Sequence, residues 1–432
     1  MDHRARVHRA QRRVPARIPH PGRGARAART RRVHPASSAS AASRSARSIR
    51  VSRANGHRVA APLDSRCSLG ERAKLERLVT PDTRLAIVGG GPVGLVTALI
   101  AADAGLDPVV IEPRATPIDK ACGEGLMPGA LRLVRELDLD PPGAPLRGIA
   151  YVQGAKRAEH LFAGEGGRGV ERTVLHATIA ARVAQQGIPV VAGRVDAVEQ
   201  HDACVTLSGP GLEPLTAGYV VGADGLHSAV RELVGLTREP QRASRRRYGL
   251  RRHYALAPWS DLVEVRWTPD VEFYVTPLGP RSVGVALLGP RGVDFGTALA
   301  AEPELRALLS ADARGESPDQ TGSTRGAGPL LQRTSARTRG RVLLVGDASG
   351  YVDALTGEGL RLGFAQARAA VSAIIAGDPH GYEREWAALT RGFRGMTSGL
   401  VAAARSPLRT AIVPAAVLLP GVYGAIVERL AR

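Results

Sequence analysis

Hydrophobic positions along the chain alternate between short continuous apolar runs and stretches of helical period, the pattern of an α/β protein. The clearest stretch is Leu85 to Glu112, LAIVGGGPVGLVTALIAADAGLDPVVIE. Leu85-Ala86-Ile87-Val88 has no polar alternation, as a parallel strand buried on both faces requires. Residues 93–104 read as a helix, with Pro92 in its first turn, where a missing N–H is no loss. Residues 109–111 are the second strand. Downstream, residues 113–125 read as a loop and 126–137 as a helix, with Leu131, Leu133, Val134 and Leu137 largely on one face. Residues 148–153 read as a strand, and 172–185 as an amphipathic helix with Leu175, Ile179, Ala180 and Val183 inward. Strands follow at 188–192, 195–199, 204–208 and 218–222, and a helix starts near Ala229.

The pattern changes over residues 247–290. YGLRRHYAL, LVEVRW, VEFYVTPLG and RSVGVALLG are four strand-like segments with turn residues between them. They predict an antiparallel sheet inserted into the α/β domain. This region holds Tyr248, Tyr254, Trp259, Trp267, Phe273 and Tyr274, and one apolar face would wall a flat or lipidic ligand or serve as a dimerisation face. Residues 342–345 return to a buried strand, and 360–375 read as a helix. Closing helices are expected at 382–405 and 408–430. The second is markedly apolar, but Pro414, Pro420, Gly421 and Gly424 interrupt its run at 411–427, so it is no clean membrane span. The expected fold class is α/β: a Rossmann-like domain with an inserted antiparallel sheet and C-terminal helices. The boundaries are a head at 1–78, the nucleotide-binding part at 79–246, the inserted sheet at 247–330, the return at 331–378 and the helices at 379–432.

Charge changes the picture at one end only. The net charge is +19, yet residues 1–60 hold sixteen Arg and one acid, Asp2, leaving the remaining 372 residues near +4. The head has no helix or strand period and too little apolar surface to fold. It reads as a nucleic-acid-binding arm, an Arg- and Ser-rich targeting peptide, or sequence upstream of a true start near Val79. The third is favoured, since the chain uses three Lys among its 59 basic residues, a bias expected of a very GC-rich genome. No apolar core marks a secretory signal, and no nucleic-acid partner is expected of the body. Cys67, Cys122 and Cys204 are too few and scattered for a disulfide framework or a zinc site, so no metal is expected and a reducing cytoplasm fits.

The chemistry lies in the turns. Gly89, Gly91 and Gly94 stand in G-x-G-x-x-G spacing: for the tight turn, for approach of a pyrophosphate, and for close helix–strand packing. The helix N-terminus behind Pro92 and Val93 offers free N–H groups to phosphates. Glu112 is placed to accept from ribose hydroxyls, which favours FAD or NAD over NADP. Arg114 and Lys120 lie where the loop could return to the phosphates or remain solvated. Cys122-Gly123-Glu124-Gly125 puts an acid between glycines just before a helix. Asp224 and Gly225 end another buried strand. Gly357, Glu358 and Gly359 open the helix after Gly346-Asp347, again with free N–H groups.

Three motifs in this order, Gly89 to Glu112, GADGLHSAVR (222–231) and GDASGYVDALTGEG (346–359), resemble the flavoprotein family of para-hydroxybenzoate hydroxylase and geranylgeranyl reductase. The resemblance spans residues 84 to 375 or so and implies FAD. Gly89, Gly91, Gly94 and Glu112 would hold the ADP half, Asp347 the ribityl chain, and the Gly357 and Gly359 backbone the flavin ring. It implies that Asp224-Gly225 meets both flavin and a passing NAD(P)H, that Arg172 contacts FAD, and that Lys120 neighbours the pyrophosphate. No second dinucleotide-binding domain is present, in keeping with a transient reductant. Gly350, the TGEG run and KACGEGL (120–126) look more like geranylgeranyl reductases. The body is also similar to actinobacterial flavin oxidoreductases associated with type III polyketide synthase products.

Two enzyme readings follow. A monooxygenase would use NAD(P)H and O₂ to hydroxylate or epoxidise an aromatic or lipid-like molecule, with Arg251, Arg252, His253 and Tyr274 as polar candidates on the inserted sheet. A reductase of isoprenoid double bonds would use Cys122 or Glu124 as proton source. Both accept the apolar C-terminal helices as a lid or a peripheral membrane contact. The monooxygenase is the first expectation.

Overall fold

The structure, a computed structural model, describes residues 83–238, 246–310 and 320–431. The basic head, Cys67 and Val79 lie outside the described residues. β1 (Thr83–Val88) passes through the glycine turn into α1 (Pro92–Asp103) and β2 (Pro108–Ile111). α2 (Pro128–Arg135), β3 (Gly148–Gln153), β4 (Lys156–Leu161) and α3 (Arg172–Gln185) follow. Next come β5 (Val190–Val191), β6 (Ala197–Gln200), β7 (Val205–Gly209), β8 (Leu212–Gly222) and α4 (Ala229–Leu233). The second sheet takes β9 (Tyr248–Tyr254), β10 (Leu262–Trp267), β11 (Glu272–Gly279), β12 (Ser282–Gly289) and β13 (Gln320–Ala327). The chain then returns through β14 (Thr338–Arg339) and β15 (Val342–Leu344) to α5 (Gly359–Ile375). It closes with α6 (Gly381–Ala404), α7 (Ile412–Leu418) and α8 (Pro420–Ala431).

The first sheet runs β14-β15-β8-β1-β2-β5, with β7 and β6 paired beside β8. β15, β8, β1, β2 and β5 are mutually parallel. Their apolar runs are buried on both faces, since α1, α3 and α5 cover one side and a second apolar cluster covers the other. In α1, Leu95, Val96, Ala98 and Leu99 are at most 2% exposed, each large one contributing roughly 1.5–3 kcal/mol through burial. Gly94 allows this contact: a Cβ there would lie 1.8 Å from the Gly89 carbonyl oxygen.

The second sheet runs β13-β9-β12-β11-β10-β3-β4 and is antiparallel except for β10 beside β3. Its four central strands match the expected segments. β3, expected within the nucleotide-binding part, instead extends this sheet, with Leu262 opposite Gly148, and it pairs there with β4, a strand the sequence pattern did not mark. The alternating burial of β3 marks it as a strand, but such a pattern does not say which sheet it joins.

Two helical expectations change. Residues 126–137 do not form one helix. Gly125 and Leu126 pair in a small sheet with Gly167–Gly169, and α2 starts at Pro128, whose ring suits a first turn. The helix expected at 408–430 is broken. Leu419 adopts φ −126° and ψ 62° because Pro420 disfavours helical backbone in the residue before it. Among the described residues no single helix is long and apolar enough to cross a membrane. α6 and the segment to Leu418 pass together only as a pair bent by 98°.

Candidate functional site

Strand register brings the separated motifs together. Val88 stands opposite both Gly222 and Ile111, and Gly222 opposite Leu344. The residues after these positions therefore share the carboxyl edge of the sheet: Gly89, Glu112, Ala223-Asp224 and Gly346-Asp347. Open parallel sheets bind ligands at this edge. A cavity of about 1540 Å³, counting its open mouth, lies there. Gly91, Pro92, Val93, Arg114 and Arg172 line it, as do Lys120, Asp224, Gly225, Gly346 and Asp347, and Gly357 and Gly359 of the turn into α5.

The glycine turn is held from several sides. Gly89 has φ +109°, and a Cβ there would meet the Ala223 carbonyl at 2.6 Å. Gly91 caps α1 without a side-chain bond, leaving its first N–H groups free. The Glu112 carboxylate accepts the Gly90 N–H at 2.8 Å and pairs with Arg114 at 2.7 Å. Burial pushes its pKa up, but the Arg114 bonds and the Gly90 N–H outweigh this and hold it below the usual range. Glu112 is thus an ionised acceptor, and its partner Arg114 is about half exposed.

Sequence reasoning missed three supports of this edge. His176 donates from Nε2 to the Gly90 carbonyl at 2.8 Å, and burial lowers its pKa, so the ring is neutral. Arg231 donates to the Ala348, Leu226 and Gln332 oxygens, tying two of the motifs together. Gln366 accepts the Gly346 N–H at 2.7 Å. Nothing in the local pattern marks His176 or Gln366, whose partners are distant in sequence; Arg231 closes the 222–231 motif, but its bond to Ala348 is set by the fold.

FAD can be tested against the donor set. The Arg172 guanidinium is buried, with Nη1 lacking a partner, and burial lowers its pKa. Asp224 is half-buried, its Oδ1 shielded and unpartnered while its Oδ2 accepts the Val230 N–H. Burial raises the pKa of Asp224, and of Asp347 despite Lys120, Arg172 and Arg231 nearby. Orphaned polar atoms, a bare helix N-terminus and a glycine cradle are the complement of a bound dinucleotide. Glu358 departs from expectation. Its carboxylate turns to Arg361 and does not line the cavity, and burial raises its pKa to about 7. Only the backbone around it faces the site.

Of the six polar candidates for catalysis, four converge. Arg251 donates to Nδ1 of His253 at 3.3 Å, and His253 Nε2 lies 2.7 Å from Glu124. An arginine cannot accept, so Nδ1 accepts and Nε2 carries the proton toward Glu124. Arg251 also pairs with Asp119. Cys122 accepts the Glu124 N–H at 3.4 Å, and burial pushes its thiol pKa up. Both Cys122 and Glu124 line the cavity. Tyr274 is a correction. Its hydroxyl donates to the Leu355 carbonyl at 2.9 Å, and burial raises its pKa well above the ordinary value. It is a wall residue whose proton is committed, not a base. Arg252 points the other way along β9, over the Phe295 ring and to Thr324. Met127, Val263, Ala286, Leu288, Ala327 and Leu330 give the cavity an apolar wall beside these groups.

The profile of the FAD binding domain family matches residues 82–377. The menaquinone reductase of Mycolicibacterium smegmatis is 27% identical over 329 residues, 71% of this chain and 79% of that protein. The 3-amino-4-hydroxybenzoate 2-monooxygenase of Streptomyces cremeus is 27% identical over 312 residues, 63% of this chain and 73% of that protein. Among solved structures, a flavoprotein/dehydrogenase from Cytophaga hutchinsonii superposes with a TM-score of 0.68 at 18% identity, covering 81% of this chain and 92% of its own.

Proposed function

The chain belongs to the FAD binding domain family, and from that premise we propose that it is a monooxygenase acting on an aromatic or lipid-like small molecule. It is an FAD-dependent oxidoreductase. Bound FAD would take electrons from NAD(P)H and supply the oxidising chemistry with O₂. The observation that carries the monooxygenase reading is the apolar wall of Met127, Val263, Ala286, Leu288, Ala327 and Leu330 lining the same cavity as the flavin-binding turns. Oxygen transfer requires water to be kept out, and such a wall does that. The Glu124–His253 pair, fixed by Arg251, would hold or move a proton beside a phenolic substrate. Gly91, Arg172, Glu112 and Asp347 would hold the cofactor, with the α5 N-terminus facing its ring.

A second reading, reduction of a carbon–carbon double bond, is favoured by one observation. Cys122 and Glu124 both reach the cavity as proton carriers, and a relative of similar identity is a menaquinone reductase. The two readings separate in one experiment. The protein is reduced anaerobically with NADH or NADPH, then given oxygen with and without an alkyl-phenol, or a prenyl lipid without oxygen. Hydroxylated product supports the monooxygenase. A saturated prenyl lipid with no hydroxylation overturns it in favour of the reductase, and protein without flavin overturns both.

A peripheral contact with lipid belongs to the same proposal. Val417, Leu418, Leu419, Val422 and Ile426 are 39–77% exposed around the α7–α8 bend, on a run without charge from Ala411 to Val427. Arg405 and Arg429 flank that run, as anionic headgroups would favour.

A further inference from the structure

Four charged side chains lie buried behind the turn that precedes α5, and nothing in the proposed chemistry uses them. Glu272 is 0% exposed and receives two guanidinium groups, Arg247 and Arg409. Arg247 reaches on to Asp353, with Nη1 3.5 Å from Oδ1. Asp353 accepts the Leu355 N–H at 3.1 Å, and Tyr274 donates to the Leu355 carbonyl. The Leu355 carbonyl is thus held directly from β11 of the second sheet, and its N–H is held by Asp353, which ion pairs through Arg247 to Glu272 on the same strand. Ala354 and Gly357, on either side of Leu355, line the cavity into which FAD fits. At the far end, Arg409 sits in the short turn Pro407–Ala411 after α6. It also donates to the Thr268, Val271 and Ala404 carbonyls and lies over the Trp267 ring.

Burying two arginines and two acids is a poor way to gain stability, because apolar residues of similar size usually do as well or better. The arrangement is also incompletely satisfied, since Arg247 Nη1 is buried without a hydrogen bond of its own. What such a relay does supply is a fixed position for whatever it ends on. Here it ends on the Leu355 N–H, in the turn that carries the cavity-lining Ala354 and Gly357.

We propose that Arg409, Glu272, Arg247 and Asp353 form a positioning relay by which the C-terminal helices fix the residue 353–357 turn against the bound cofactor. Arg247 and Asp353 are positioning residues, acting through the Leu355 peptide rather than on substrate. The relay also sets the charge behind the turn. With Asp353 ionised the four groups sum to zero, and losing either Arg247 or Asp353 unbalances the turn in opposite directions.

The proposal rests on the FAD reading, and its test reads the relay separately from flavin loading. Hydrogen exchange on flavin-free protein should show the Leu355 and Gly357 amides losing roughly tenfold or more protection in Arg247→Met and in Asp353→Asn. In the flavin-loaded protein Asp353→Asn should raise the flavin midpoint potential and Arg247→Met should lower it. The double variant, neutral again and free of an unpaired buried charge, should return the potential toward wild type even if a single variant folds poorly. Unchanged exchange at 355–357, or potentials that move the same way in both single variants, would overturn the relay. Wild-type protein that binds no flavin overturns the cofactor reading, whereas the exchange result stands by itself.

Discussion

Gly91→Ala and Gly94→Ala should fail in different ways, although both change one hydrogen to a methyl in the same turn. A Cβ at 94 would lie 1.8 Å from the Gly89 oxygen and 3.3 Å from Ala223 Cβ, against a practical limit near 3.0 Å. α1 must then lift off β1 by more than an ångström, opening the contact that buries Leu95, Val96 and Leu99. Overpacking of this kind costs roughly 1–3 kcal/mol. With an unfolding entropy of roughly 2.1 cal/mol/K per residue, that loss lowers the melting temperature of a chain this size by about 1 °C per kcal/mol. A Cβ at 91 meets only Arg172 Nη2, at 3.9 Å, and Gly91 has an ordinary φ of −68°. Flavin-free stability should therefore change by less than about 0.5 kcal/mol. The methyl nonetheless stands where the pyrophosphate must approach. FAD affinity should fall by about a hundredfold or more, some 2.7 kcal/mol. Thermal melts with and without added FAD, together with flavin per chain from absorbance, separate the two effects. Gly91→Ala with wild-type flavin affinity would refute the assigned role of the turn, as would Gly94→Ala with an unchanged flavin-free melt.

Other consequences follow from the buried polar groups and the exposed bend. Arg172→Met should weaken FAD binding by a factor of about 10–100, the usual worth of a charge-assisted bond, without lowering the flavin-free melting temperature, because the guanidinium is desolvated and Nη1 unpartnered. Fluorescence titration and thermal melts check both halves. Glu358 has a folded pKa of about 7 against 4.5, so the folded state binds its proton more tightly and stability falls as pH rises from about 4.5 to 7. Glu358→Gln lacks that loss and should gain on wild type by up to about 3 kcal/mol between pH 5 and pH 8. Urea melts across that range that keep a constant difference would refute it. Leu418→Asp with Val422→Asp should abolish co-sedimentation with anionic vesicles while leaving flavin content unchanged, and unaltered sedimentation would remove the lipid contact.

Much of the site was legible because dinucleotide binding is imposed locally. A strand, a glycine turn, a helix N-terminus and a terminal acid occupy one continuous segment, and each has a residue type that only that role favours. Asp347 was singled out by its motif and Arg172 by the family resemblance, and both line the cavity. Glu358 was misassigned for a related reason: the motif marks the backbone of its turn, while the direction of the side chain depends on Arg361 one turn later. His176 and Gln366 could not be read at all, since they support backbone groups 86 and 20 residues away, and Arg231 was read only as the end of a motif, not for its bond to Ala348, 117 residues away.

The sequence by itself determined the α/β class, the central strands of both sheets, the N-terminus of α1 and the identity of the nucleotide cradle. These follow from period, burial and turn chemistry, which act within a few residues. Only the tertiary structure decided that β3 and β4 join the second sheet, that Tyr274 spends its hydroxyl on Leu355, and that Glu124, His253 and Arg251 meet. It also decided that charges at 247, 272, 353 and 409 close into one buried chain. Strand partners and ion pairs form between segments whose separation along the chain carries no signal, and packing alone chooses among them.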